Sequence, residues 1–196
     1  MFPYAIFLVL FVVLPLFVII SYAFTNGNGD VSFENFIHFF QNEKTIGTLF
    51  YSVAIALLTT IFCLILGYPV AYILAKGEMF KEHSLLFLFV LPMWINFIIR
   101  TSATRDVLNW IGLSTGEHSN ITTMIGLVYN YLPFVVLPLY PTMIKMDKNQ
   151  IEASSDLGAN AFQTFFKVII PMTMPGIVSA ATMVFMPTLS SYVISD

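Results

Sequence analysis

TIGTLFYSVAIALLTTIFCLILGYPVAYILA, residues 45–75, contains no charged side chain. It is longer than the ~20 residues that a helix needs to cross a hydrocarbon core. Further uncharged runs occupy residues 1–29, 84–99, 119–144 and 168–195. The run at 84–99 is short by itself and reaches spanning length if Arg100 stands at the helix end and extends its guanidinium to the interface. The pattern predicts an all-α polytopic transmembrane bundle, a single domain over residues 1–196. Its five spans lie at about 3–24, 46–75, 84–104, 122–144 and 171–193.

Composition points the same way. The 196 residues are 58% hydrophobic and 10% charged, whereas a soluble domain carries roughly 25% charge to coat its surface. The net charge of -3, without any basic cluster, excludes a nucleic-acid partner. Cys63, the only cysteine, can form no intrachain disulfide and reads as a small apolar packing residue. His38, His83 and His118 fall in separate polar connections without metal-ligand spacing, so no metal site is expected. The first run lacks a basic n-region and is too long for a signal-peptide core, which predicts a retained transmembrane helix.

Punctuation along the chain divides the spans. TNGNGD, residues 25–30, ends the first, and VSFENFIHFF places Phe33, Phe36, Ile37 and Phe40 on one face of a short interfacial helix. Gly67 and Pro69 predict a bend in the second span, and KGEMFKEH links it to the third. Prolines recur in every span, which suits a broken, mobile transporter bundle. Lys76, Lys81, Lys145, Lys148 and Lys167 outnumber Lys44, Arg100 and Arg105 on the opposite side, which predicts a cytoplasmic 145–170 segment and N-terminus. The chain then stops outside at Ser195-Asp196 without a polar tail, and a further span is expected to be missing, by truncation or because the chain is a fragment.

The polar segment IEASSDLGANAFQTFFKVIIPMTMPGI, residues 151–177, has its own grammar. Asp147 with Gln150 fits a helix-starting capping box, and Gly158 suits the left-handed position past a helix end. Asn160 with Gln163 marks a second start, for a helix over 161–169 that stops before Pro171. Phe162, Phe165, Phe166 and Ile169 share one of its faces.

This spacing resembles the inner-membrane permease subunits of ATP-binding-cassette importers. Their cytoplasmic signature is Glu-Ala-Ala, three residues, Gly, nine residues, then Ile-x-Leu-Pro. Glu152, Ala153, Gly158 and Pro171 match, while Ser154 replaces the second alanine, and Val168 and Ile170 stand for Ile and Leu. The resemblance implies a type I importer permease, usually of six spans, whose segment around Glu152, Asp156 and Gly158 is the coupling helix docked on an ATPase. GYPVAYILAK, LPMWINFIIR and SSYVISD are similar to the polyamine (spermidine/putrescine) branch. Another small solute or ion is the alternative cargo.

The chain contains no G-x-x-x-x-G-K-[ST] loop, so ATP is expected on a separate partner and no cofactor in this chain. The resemblance implies an ATPase dimer, a second permease subunit and an extracellular substrate-binding protein, in a bacterial inner membrane. For a polyamine, aromatic faces offer cation–π contacts of roughly 0.5–2 kcal/mol, which makes Trp94, Asn96, Tyr129, Asn130 and Tyr131 candidates for the path. The uncharged runs lack the buried acids of an ion-coupled carrier, and no H-E-x-x-H or paired acid–base constellation marks a membrane enzyme.

Overall fold

A computed structural model of the chain describes residues 2–26, 30–76, 84–112 and 119–195. The expected link at 77–83, with Lys81 and His83, and the connection holding His118 lie outside the described residues. The described chain is helical throughout, apart from turns and one isolated antiparallel bridge between Thr25 and Val31. It divides into two units, Met1–Tyr51 and Ser52–Asp196.

The first unit opens with α1, residues 2–23, whose segments Phe2–Leu8 and Leu14–Ala23 are joined by a π-helical turn at Val9–Val13. The turn sits just ahead of Pro15, which has no N–H and whose ring crowds the carbonyl four residues back. Widening the preceding turn makes room, and the Leu14 N–H reaches back five residues to the Val9 carbonyl. The helix is apolar on every side, and no residue of Leu14–Ala23 is buried. Asn35 on α2, Glu34–Gln41, closes its C-terminal end by donating to the carbonyls of Tyr22 (3.1 Å) and Thr25 (3.0 Å). Phe24, Phe33 and Phe36 stack at the same corner, with centroids 5.2 to 6.4 Å apart.

α3, Glu43–Lys76, begins at Asn42, whose side-chain oxygen accepts from the Lys44 N–H at 3.1 Å. It stays helical through Gly67 and Pro69. Gly67 serves close packing: a Cβ there would stand 2.6 Å from Val135 Cγ1.

Within the second unit α3 packs on α6, Ser119–Ile144, and on α8, residues 161–195. The core they share is built from Cys63, Tyr68, Ala71, Tyr131, Val135, Val136, Leu139, Met143, Ala180 and Val184. Gly176 gives α8 the same intimacy with α6, since a Cβ there would stand 2.8 Å from Thr142 Oγ1. Small residues at crossings are how helices gain dispersion contact where lipid supplies no hydrophobic drive. Tyr68 Oη and Thr173 Oγ1, 2.9 Å apart, pin α3 to α8 with a buried hydrogen bond.

Four helices among the described residues are long and apolar enough to cross a membrane: Tyr4–Ala23, Glu43–Lys76, Ile121–Ile144 and Ala161–Ser190. The expected span at 84–104 is not one helix. It is divided into α4, Ser84–Val90, a 3₁₀ turn at Leu91–Trp94, and α5, Phe97–Trp110. Ile95 is extended, and Asn96 restarts the helix by accepting the Ile98 N–H at 2.9 Å.

The helix expected to stop before Pro171 instead continues. α8 runs from Ala161–Thr164 through a π-helical turn at Phe165–Ile169 into Ile170–Ser195. The device is that of α1: a proline two residues past a π turn, with the Ile170 N–H reaching five residues back to Phe165. The inserted residue shifts the helical phase by about 100°. The expected aromatic face is divided: Ile169 is buried and Phe165 packs on Tyr68 at 5.6 Å, while Phe162 and Phe166 remain exposed.

Candidate functional site

α7, Lys148–Asp156, and the start of α8 form an elbow. Asp147 caps α7 by accepting from the Asn149 N–H at 3.0 Å. The reciprocal bond expected from Gln150 is not made, because Asp147 bonds the second helical N–H rather than the third. The full capping box stands one helix later, where Asn160 accepts from the Gln163 N–H (2.8 Å) and the Gln163 side chain accepts from the Asn160 N–H (3.1 Å).

Between these caps α7 ends as a Schellman motif. The Gly158 N–H donates to Ser155 O at 2.9 Å, and the Ala159 N–H donates to Ser154 O at 3.0 Å. Gly158 has φ +81°, a left-handed conformation that costs other L-residues roughly 1–2 kcal/mol. Its missing Cβ would meet nothing within 4 Å, so glycine is required by the backbone and not by crowding.

Ser154 gives the elbow its second constraint. Its buried hydroxyl donates to Ile151 O at 2.7 Å and lies 3.0 Å from Thr164 Oγ1, so α7 is tied to the first turn of α8. A serine in place of the signature's second alanine therefore supplies a strut, and Thr164 is its partner. Sequence reasoning missed Thr164 because ten residues separate it from Ser154 and no spacing rule joins them.

The opposite side of α7 is open. Glu152, Ala153 and Asp156 are exposed, and Leu157 is 88% exposed, an apolar tip on an otherwise polar helix. Beside it an open groove of about 640 Å³ includes Tyr72, Lys76, Met146, Lys148 and Glu152 in its walls. Pro171 lies beyond the elbow, within α8. The elbow thus places an exposed, capped helix directly ahead of a helix of spanning length.

The other candidates do not converge on one cavity. Trp94 is 84% exposed on the 3₁₀ turn, and Asn96 is occupied as the cap of α5. Tyr131 is part of the α3–α6–α8 core. Tyr129 lines one groove and Asn130 another. Asn130 is 1% exposed and donates from Nδ2 to Thr101 Oγ1 at 3.2 Å.

Arg100 departs furthest from expectation. It does not extend to the interface. Its guanidinium is buried and donates to Pro92 O (3.0 Å) and Asn130 O (3.3 Å). Asn130 is near the middle of α6, so the charge lies at mid-helix depth rather than at a helix end. The physical reason is the helix break: the 91–96 turn presents the Pro92 carbonyl, which accepts the Ile95 N–H at 3.3 Å and takes Arg100 as a second donor. The signal was available, since an ionisable residue among apolar neighbours marks an interior role.

Comparison with known proteins agrees with this architecture. The family model for the inner membrane component of binding-protein-dependent transport systems matches residues 1–195. The chain is 38% identical to the spermidine/putrescine transport system permease protein PotB of Escherichia coli K12, over 96% of this chain and 76% of that protein. Against proteins of the same description the identity is 39% in Salmonella typhimurium LT2 and 34% in Haemophilus influenzae. Those matches cover 96% of this chain, and 72% and 73% of the respective relatives.

Proposed function

Because the chain belongs to the binding-protein-dependent transport system inner membrane component family, and is thus a multi-pass permease subunit of an ABC importer, we propose that it carries polyamines. Spermidine and putrescine are the cargo in the relatives' descriptions, and identity over nearly the whole chain supports carrying that cargo over.

The working assembly is this chain, a second permease, two ATPase subunits and an extracellular binding protein. ATP is bound and hydrolysed on the ATPase, and the 145–170 segment and N-terminus face the cytoplasm. The bundle crosses the membrane five times in this chain, with α4 and α5 as the two halves of the third crossing. Glu152, Ala153, Asp156 and Leu157 present the docking face to the ATPase. The observation that carries this reading is the elbow, an exposed capped helix fixed by Gly158 and by the Ser154–Thr164 hydrogen bond to a span-length helix. Closure of the ATPase dimer displaces α7, the strut passes the displacement to α8, and the bundle shifts between two packings.

The test is ATP hydrolysis by the complex reconstituted in liposomes, with binding protein supplied empty or loaded. Spermidine- or putrescine-loaded binding protein accelerates hydrolysis, and internal polyamine rises with it. Stimulation by a binding protein loaded with another solute, with no response to polyamine, overturns the substrate assignment. Failure of any ATPase to co-purify with the chain overturns the coupling assignment.

A further inference from the structure

We infer that Arg100 is half of an intersubunit ion pair: an acidic side chain on a membrane helix of the second permease enters the groove between α5 and α6 and neutralises it. The inference rests on the two-permease reading above.

Arg100 is 8% exposed and sits at the mid-depth of α6. Of its five N–H donors, one on each terminal nitrogen is engaged by a backbone carbonyl, and buried Nε has no acceptor. Carbonyl oxygens satisfy hydrogen bonds but leave the net charge in place. A buried charge is costly unless an opposite charge accompanies it. Among the described residues no carboxylate forms an ion pair with Arg100, and the only such pair is Glu34 with His38.

Arg100 also lines an open groove of about 510 Å³, whose other walls include Ile95, Ile99, Val107, Ile125 and Tyr129. These apolar residues are 41% to 64% exposed, so the groove is an uncovered apolar strip with one cation at its wall. Facing lipid tails alone would leave that cation uncompensated at the membrane's interior. A helix carrying one Asp or Glu among apolar residues complements both the strip and the charge. The uncharged runs of this chain contain no carboxylate, and apart from Glu43 at the start of α3 the acid on a crossing is Asp106, which shares α5 with Arg100, so the pairing acid is assigned to the second permease. Pairing also removes a positive charge that would repel a polyamine in the bundle.

The experiment uses the co-expressed complex and measures how much second permease co-purifies with this chain. Arg100→Glu lowers recovery by about tenfold or more. One Asp→Arg or Glu→Arg change within a span of the second permease restores recovery in that background. Ala103→Glu, one helical turn from Arg100 and in the same groove, protects against misreading a folding failure. It neutralises Arg100 from within, leaves the amount of this chain inserted in the membrane near wild type, and still displaces the second permease.

Full recovery in Arg100→Glu and Ala103→Glu, with no reciprocal change that rescues, overturns the inference. So does a requirement for phosphatidylglycerol vesicles over phosphatidylcholine vesicles without any swap rescue, which assigns the groove to a lipid phosphate. If the wild-type chain recovers neither permease nor ATPase, it is the functional reading that fails.

Discussion

Two prolines meet opposite fates in this chain. Around Pro92 the helix breaks, and around Pro171 it does not. Proline removes the same hydrogen bond and imposes the same crowding in both places, so proline alone does not decide. At 91–96 side chains brace the break: Arg100 donates to Pro92 O, which also accepts the Ile95 N–H, and Asn96 accepts the Ile98 N–H. Ahead of Pro171 the chain instead inserts one residue into a π turn, as it does ahead of Pro15, and the Thr173 hydroxyl donates to Ile169 O at 2.9 Å. In this chain the break is braced by side chains from α5, whereas the π turns keep α1 and α8 continuous.

This contrast can be broken at Arg100 first. Arg100→Leu strips two charge-assisted bonds, each worth about 1.5–3 kcal/mol, that tie α5 to the Pro92 turn and to α6. The largest stability loss of the set is expected, seen as a fall in the thermal midpoint of the purified complex. An unchanged midpoint would remove Arg100 from the account of the break.

Asn96→Ala deletes the cap that restarts α5 and costs about 1 kcal/mol by the same measurement. Thr164→Val cuts the strut to Ser154 at a cost of about 0.5–1.5 kcal/mol. Its effect on uptake should exceed its effect on stability, because the bond serves to transmit movement. Pro171→Ala restores an N–H and lets the π turn relax, with stability changing by less than about 1 kcal/mol. Uptake falls because α7 and the first turn of α8 rotate together against Ile170–Ser195, and full uptake with a relaxed turn would show that the phase set by the π turn is immaterial.

The same contrast explains what could be read without a structure. Hydropathy located α1, α3, α6 and α8, because uncharged runs of spanning length have few other solutions. The Asn160–Gln163 box and Gly158 were legible because caps and left-handed turns are local. The break at 91–96 was not, since whether it forms depends on Arg100 and on the α6 carbonyl that Arg100 also reaches, thirty residues away. Assigning Arg100 to the interface treated its charge as something to be kept wet, when the fold had acceptors for it inside. Pro171 misled in the other direction, because the rule that helices stop before proline takes no account of a π turn. Gly67 and Gly176 declared themselves only when Val135 and Thr142 were seen against them.

The central claim is that the elbow at Gly158 passes work from a partner ATPase into the spans. Gly158→Val tests it most directly, because its Cβ meets no neighbour and only the left-handed backbone is challenged. The measurement is uptake of radiolabelled spermidine by cells carrying the variant, normalised to the amount of chain in the membrane. The account predicts wild-type insertion with uptake lowered by about tenfold or more, the scale set by roughly 1–2 kcal/mol of left-handed strain. Uptake within about twofold of wild type at equal insertion, less than 0.5 kcal/mol on the same scale, would contradict it.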